Sequence, residues 1–211
     1  MLVFPSIGSL PALRCLLLLA LTFLVPHAHA ARTILIFGDS LSAGYGIRQE
    51  AAWPSLLASR LNERKLDYNV VNASISGETT SGGLARIDAA LAKHSPAIVV
   101  IALGSNDGLR GLPLRTMRDN LTGISAAALK SKARVLIVGQ RLPPNYGSYA
   151  QEFHQTFGAI SKSQNTAYVD FLLDGLATRP ELFQADNLHP TAEAQPRLLD
   201  NVWRGLEPLL K

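Results

Sequence analysis

The run Ala97-Ile98-Val99-Val100-Ile101-Ala102-Leu103 is apolar at every position. A strand with one wet face alternates polar and apolar residues, whereas one apolar throughout needs cover on both faces, as in parallel sheets flanked by helices. Shorter, less uniformly apolar strand candidates lie at Thr33–Phe37, Tyr68–Val71 and Arg134–Val138, with a weak one at Ala167–Val169. Helical patterns lie between and after them, around Trp53 to Lys65, Leu84 to Ala92, Leu114 to Lys130, Tyr149 to Ser163 and Ala192 to Leu210. Pro196 belongs in the first turn of the last helix or at a kink. This alternation predicts one α/β domain with a mainly parallel five-stranded sheet. No linker, repeat or low-complexity segment divides it.

The first 30 residues read differently. Arg14 precedes the apolar run Cys15–Val25, and Pro26 and Ala28-His29-Ala30 follow. A positive flank, a short apolar stretch and an A-x-A-like end predict a secretory signal peptide cut after Ala30. The alternative is an uncleaved anchor, but the run is shorter than the roughly 20 residues a bilayer requires and Pro26 breaks it. Cys15 lacks the small residues of a lipoprotein processing site. The expectation is an exported, periplasmic monomer spanning residues 31–211, with no stable membrane anchor. The leader contains the only Cys, so the mature chain has no thiol and neither an internal disulfide nor a zinc cluster is expected. It contains one basic and no acidic residue, so the net charge of +4 falls by one. The remaining Lys and Arg are scattered, and Glu63 interrupts even the cluster Arg60 to Lys65; a nucleic-acid partner is not expected.

Parallel sheets bind ligands outside the carboxyl ends of their strands. After the first strand comes Gly38-Asp39-Ser40-Leu41, and after the second Asn72 through Ser76-Gly77-Glu78-Thr79. Gly104-Ser105-Asn106-Asp107-Gly108 follows the third, and Asp186-Asn187-Leu188-His189-Pro190 precedes the last helix. Together they supply the parts of an acyl-transfer site. The Ser40 hydroxyl needs a base before it can attack. His189 is the candidate base, and Asp186 can orient its other nitrogen within one turn. Asn187 tolerates left-handed backbone. Ser40 N–H, Gly77 N–H and the Asn106 amide are candidate oxyanion donors. Each block alone also reads as an ordinary turn or helix cap; their joint fall at strand ends favours catalysis. The chain order is Ser, Asp, His, as in α/β-hydrolases, yet their GxSxG elbow is missing.

These four blocks resemble the signatures of the SGNH (GDSL) hydrolases. The likeness covers about Arg32 to Leu210, and further stretches such as Ala51–Pro54 and Arg141–Pro143 are similar to the multifunctional periplasmic acyl-thioesterase/lysophospholipase branch of Gram-negative bacteria. The resemblance implies a flavodoxin-like three-layer α/β/α fold, a Ser40-Asp186-His189 triad, an oxyanion hole of Ser40, Gly77 and Asn106, and neither metal nor cofactor. Ser105 and Asn187 stand where glycine is frequent in relatives. Asp39 and Asp107 are expected to hold hydrogen bonds behind the site or to cap turns.

The loops Ser42 to Gln49, Gly108 to Leu114 and Leu142 to Ser148 are expected to wall the crevice. They offer Tyr45, Ile47, Leu109, Leu112, Leu142, Pro143, Pro144 and Tyr146 to an acyl chain. Acyl esters, aryl esters, thioesters and lysolipids are the expected small-molecule substrates, with oxygen esters and lysolipids favoured outside the cytoplasm. A carbohydrate O-acetylesterase on the same fold and a non-catalytic exported binding protein are the rival readings. Trp53 is expected to anchor a helix, His94 to end one, and His154 to lie on a helix away from the strand ends.

Overall fold

The structure is a computed structural model describing residues 1, 3 and 31–211. The leader expected over residues 1–30 lies outside the described residues, Met1 and Val3 apart, and Ala31–Lys211 form one compact unit. Its elements are β1 (Arg32–Gly38), α1 (Ser40–Ala43), α2 (Trp53–Glu63), β2 (Tyr68–Asn72), α3 (Thr80–His94), β3 (Ile98–Ala102), α4 (Ser105–Leu109), α5 (Leu114–Lys130), β4 (Arg134–Val138), α6 (Gly147–Gln164), β5 (Ala167–Val169) and α7 (Gln195–Leu206).

The five strands pair in the order β2-β1-β3-β4-β5, every neighbour parallel. β3 is buried along its whole length, as its apolar run requires. Alternation along β1 divides the core into two layers. Ile34 and Ile36 pack with Trp53, Leu57 and Leu61 of α2 and Leu198 and Val202 of α7. Leu35 and Phe37 pack on the other face with Ile87 of α3, Leu121 and Ile124 of α5, and Phe153 and Phe157 of α6. The result is the three-layer α/β/α fold expected from the sequence.

The differences are local. α3 begins at Thr80 because the Thr79 hydroxyl caps it, accepting from the Gly82 N–H. Pro196 sits in the first turn of α7, where its missing N–H costs nothing. Trp53 is fully buried, and its backbone N–H donates to Gln195 Oε1 at 3.0 Å, so it does anchor α2 against the start of α7. Asn106-Asp107-Gly108, which also reads as an ordinary turn, lies inside the short helix α4.

Gly83 lets α3 lie close to the sheet. A Cβ there would stand 2.5 Å from Leu103 Cδ1 and 3.2 Å from Ile124 Cδ1. Gly83→Val is therefore expected to overpack this layer and lower stability by about 1–3 kcal/mol. The urea midpoint would fall; an unchanged midpoint would show that Leu103 and Ile124 yield without cost.

Candidate active site

Gly38 ends β1 and lets the chain double back: a Cβ there would meet Ser42 Oγ at 2.8 Å and the Ala102 carbonyl at 3.0 Å. Asp39 Oδ1 accepts the Leu41 N–H at 3.0 Å and caps α1, placing Ser40 in its first turn. The loop after β2 runs beside β1, with the Ala73 N–H donating to the Ile36 carbonyl and the Ile75 N–H to Gly38. This brings Ser76 and Gly77 next to Ser40 at the strand ends.

Asp107 ties the third rim segment to the second. Its carboxylate accepts the Thr80 N–H at 2.9 Å and the Thr80 hydroxyl at 2.6 Å. Asn106 Nδ2 donates to the Glu78 carbonyl at 2.9 Å, leaving the second N–H of that amide for another acceptor. Among the described residues, neither the Ser40 nor the Gly77 backbone N–H has a protein acceptor. Gly77 has φ +79, and a Cβ there would meet nothing within 4 Å, so its surroundings are open.

The fourth segment is a closed loop. Leu182 and Thr191, then Gln184 and His189, are joined by backbone hydrogen bonds of 2.8 Å, and Asn187 turns the tip with φ +54. Asp186 Oδ1 accepts the N–H groups of Leu188 and His189 at 2.9 and 3.0 Å. Its Oδ2 lies 2.7 Å from His189 Nδ1, and His189 Nε2 lies 2.9 Å from Ser40 Oγ. The structure thus joins Ser40, His189 and Asp186 in one hydrogen-bonded line.

Two carboxylates here have opposite electrostatics. Asp186 is held down at about 2, first by the His189 N–H, then by the His189 ring and the Leu188 N–H. Asp39, fully buried, is pushed up to about 6 by desolvation. The Leu41 N–H, the nearby Ser105 hydroxyl and His189 pull it down less strongly. Asp39 Oδ2 and Ser105 Oγ lack hydrogen-bonding geometry to any described residue.

Ser40, Gly77, Asn106 and His189 line a cavity of about 360 Å³ together with Leu41, Tyr45, Ser76, Ser105, Leu109 and Leu188. A serine–imidazole–carboxylate line opposite three available N–H donors can activate a hydroxyl and stabilise an oxyanion.

Over residues 36–196 the sequence matches the GDSL-like lipase/acylhydrolase family. The chain belongs to this family. It is 48% identical over 202 residues to the esterase TesA of Pseudomonas aeruginosa, covering 94% of this chain and 100% of that one. It is 39% identical over 196 residues to thioesterase 1/protease 1/lysophospholipase L1 of Escherichia coli, covering 92% and 91%. The crystal structure of TesA aligns with a TM-score of 0.83 at 48% identity, covering 85% of this chain and all of that one. This GDSL-family chain is accordingly an ester hydrolase.

Of the expected apolar lining, Tyr45 and Leu109 reach the cavity; Leu41 and Leu188, not foreseen, do too. Tyr45 also packs on the His189 ring, centroids 4.4 Å apart. Gln184 was missed altogether. Its Nε2 donates to the Tyr45 and Pro190 carbonyls at 2.8 and 3.1 Å, joining the loop after β1 to the His189 loop. Gly46 makes room, since a Cβ there would overlap the Gln184 amide. No sequence signal marked either residue. The placement expected for His154 is corrected. Its Nδ1 is 3.2 Å from the Gln140 carbonyl and its Nε2 3.2 Å from Asp170 Oδ1. Both partners lie just past β4 and β5, because α6 runs back over those strand ends. Among the described residues no group of three or more His, Cys, Asp or Glu is placed to hold a metal.

The raised Asp39 makes stability pH-dependent with a definite sign. Between about 4 and 6 the folded state binds a proton that the unfolded state has released, so this group's contribution falls as pH rises and levels off above 6. Asp39→Asn keeps a capping oxygen and is expected to be about 1–3 kcal/mol more stable than wild type at pH 7.5. The difference should vanish near pH 4. Denaturation curves at the two pH values test it; a gain independent of pH would contradict the burial argument.

Proposed function

We propose that the protein is a serine hydrolase that cleaves carboxylic esters and thioesters of acyl chains through an acyl-enzyme on Ser40. The observation carrying this reading is the continuous Ser40–His189–Asp186 line, 2.9 and 2.7 Å, at the edge of a largely apolar cavity. His189 Nε2 takes the Ser40 proton as Oγ bonds to the substrate's carbonyl carbon. The oxyanion that forms is received by the N–H groups of Ser40 and Gly77 and the free N–H of Asn106. Asp186, ionised throughout, holds the ring in place and balances the imidazolium. Collapse breaks the bond to the alcohol or thiol, which leaves with the proton from His189. Water then repeats the sequence and frees the acid. The cavity is lined by Leu41, Tyr45, Leu109 and Leu188, which suits acyl esters, aryl esters, acyl thioesters and lysolipids.

Hydrolysis of p-nitrophenyl esters across acyl lengths tests this. Ser40→Ala should lose at least about 10,000-fold in kcat. Asn106→Ala should lose about 100- to 1,000-fold in kcat. A rate for Ser40→Ala equal to wild type would end the mechanism.

The reading extends to export: residues 1–30 act as a signal peptide, and the mature enzyme begins at Ala31 as an unanchored periplasmic monomer. In support, the segment has the basic flank, apolar run and A-x-A end of a cleaved leader. The intact mass of protein recovered from the periplasm should correspond to a chain starting at Ala31. Full-length mass in a membrane fraction would overturn the cleavage.

A further inference from the structure

Arg110 caps the end of α4, its backbone N–H donating to the Asn106 carbonyl at 3.3 Å. Its Nη2 reaches across to the Gly77 carbonyl at 3.2 Å. The side chain therefore bridges the two segments that carry Gly77 and Asn106, at the rim of the cavity these residues line. Arg110 is exposed, and no described carboxylate lies within 4 Å of its guanidinium. The nearby acidic groups are engaged elsewhere: Glu78 with Arg86, Asp107 with Thr80, and Asp186 with His189. A guanidinium carries five N–H donors, and one neutral carbonyl uses only one of them. What remains is a fork suited to a phosphate.

The spacing narrows the choice of substrate. Nη2 binds the carbonyl of the residue whose N–H would receive the oxyanion, so cation and oxyanion stand on the order of 6–8 Å apart. In an acylated glycerophosphate, half a dozen single bonds separate the ester carbon from phosphorus, an extended span of about 7 Å. In an acyl-coenzyme A, the pantetheine arm puts the diphosphate at roughly twice that distance or more. We propose that Arg110 is a specificity-determining residue that binds the phosphate of lysophospholipid substrates, held about one glycerol length from the scissile carbonyl. This rests on the acyl-hydrolase reading above and adds a recognition element on the leaving-group side.

Two matched substrate pairs separate charge recognition from chemistry. One is decanoyl lysophosphatidylglycerol against monodecanoylglycerol, which differ by the phosphate-bearing head. The other is decanoyl-coenzyme A against decanoyl-N-acetylcysteamine, which places phosphate at the longer distance. For each pair the ratio of kcat/KM, charged over neutral, is measured at fixed low salt below the micelle concentration. Arg110→Gln should lower the lysolipid ratio about 10-fold, chiefly through KM, and Arg110→Lys should recover part of it. The coenzyme A ratio should move by less than about twofold.

An unchanged lysolipid ratio overturns the proposal. This holds even if both substrates slow together, because Arg110 would then merely brace the Gly77 loop. An equal fall in both ratios also overturns it, since that marks general attraction of anions rather than a spaced contact. Ser40→Ala, run on the same substrates, reports separately on the hydrolase reading: undiminished activity there would sink the mechanism without bearing on the ratios.

Discussion

Between β1 and β3 the chain leaves neighbouring strands towards opposite faces of the sheet, and the crevice at their carboxyl ends depends on that divergence. β1 leads to α1 and α2, in the layer built on Ile34 and Ile36; β3 leads to α4 and α5, in the layer built on Leu35 and Phe37. With the strand order β2-β1-β3-β4-β5, the one reversal of winding falls between these two strands. Ser40 and Asn106 are the residues that follow them, so they face one another across a gap that no crossover helix can fill. The loops after β2 and β5 then close the gap from either side. Parallel pairing does this without special side chains: once the apolar runs are buried on both faces, four polar loops have one rim to occupy.

The rim is held by polar contacts that are not optimised for stability. Asp107 is well satisfied, with Thr80 giving both its N–H and its hydroxyl. Asp39 is not: it caps α1 through Oδ1 while Oδ2 has no partner among the described residues. Burying a carboxylate this way costs free energy that a neutral side chain would spare. The return is positional, because the cap fixes Ser40 in the first helical turn, where its N–H has no acceptor among the described residues.

Most of the fold was legible because burial leaves a pattern. β3 is apolar without interruption, as is the stretch Ile34–Phe37 of β1, and helices the length of α5 show their period clearly. α4 was not legible: five residues, Ser105–Leu109, make barely one turn, too short for any period, and Asn-Asp-Gly is ordinary turn composition. At the site, Ser40, Gly77 and Asn106 could be found from their placement after strands, and Asp186 and His189 from the polar segment before the last helix; the structure brings Ser40, Gly77, Asn106 and His189 to one cavity, with Asp186 on the far nitrogen of His189. Gln184 could not, because it acts through two backbone carbonyls distant in sequence and nothing about its neighbours announces this. His154 failed for a related reason. A helix assigned from periodicity has no known starting point over the sheet, and because α6 starts on the carboxyl side of β4, His154 in its first half comes to rest beside Asp170. Local composition encodes which residues are buried; it encodes poorly where an exposed face finally rests.

The contrast between Asp39 and Asp186 shows why the choice of acid partner for His189 follows from environment rather than from residue type. Asp39 neighbours Ser40 in sequence and feels the charge of His189, yet burial lifts it to about 6, where a charge is costly to keep. Asp186 is exposed and receives two backbone N–H bonds besides the imidazole, which hold it near 2. In the proposed mechanism the imidazole becomes cationic each time Ser40 attacks. A partner already ionised, and braced by N–H donors that need no rearrangement, stabilises that cation without taking its proton. A carboxylate near 6 would compete for the proton. The tight Asp186–His189 loop, with Asn187 in the left-handed region at its tip, is thus the feature that keeps the base available for the next step.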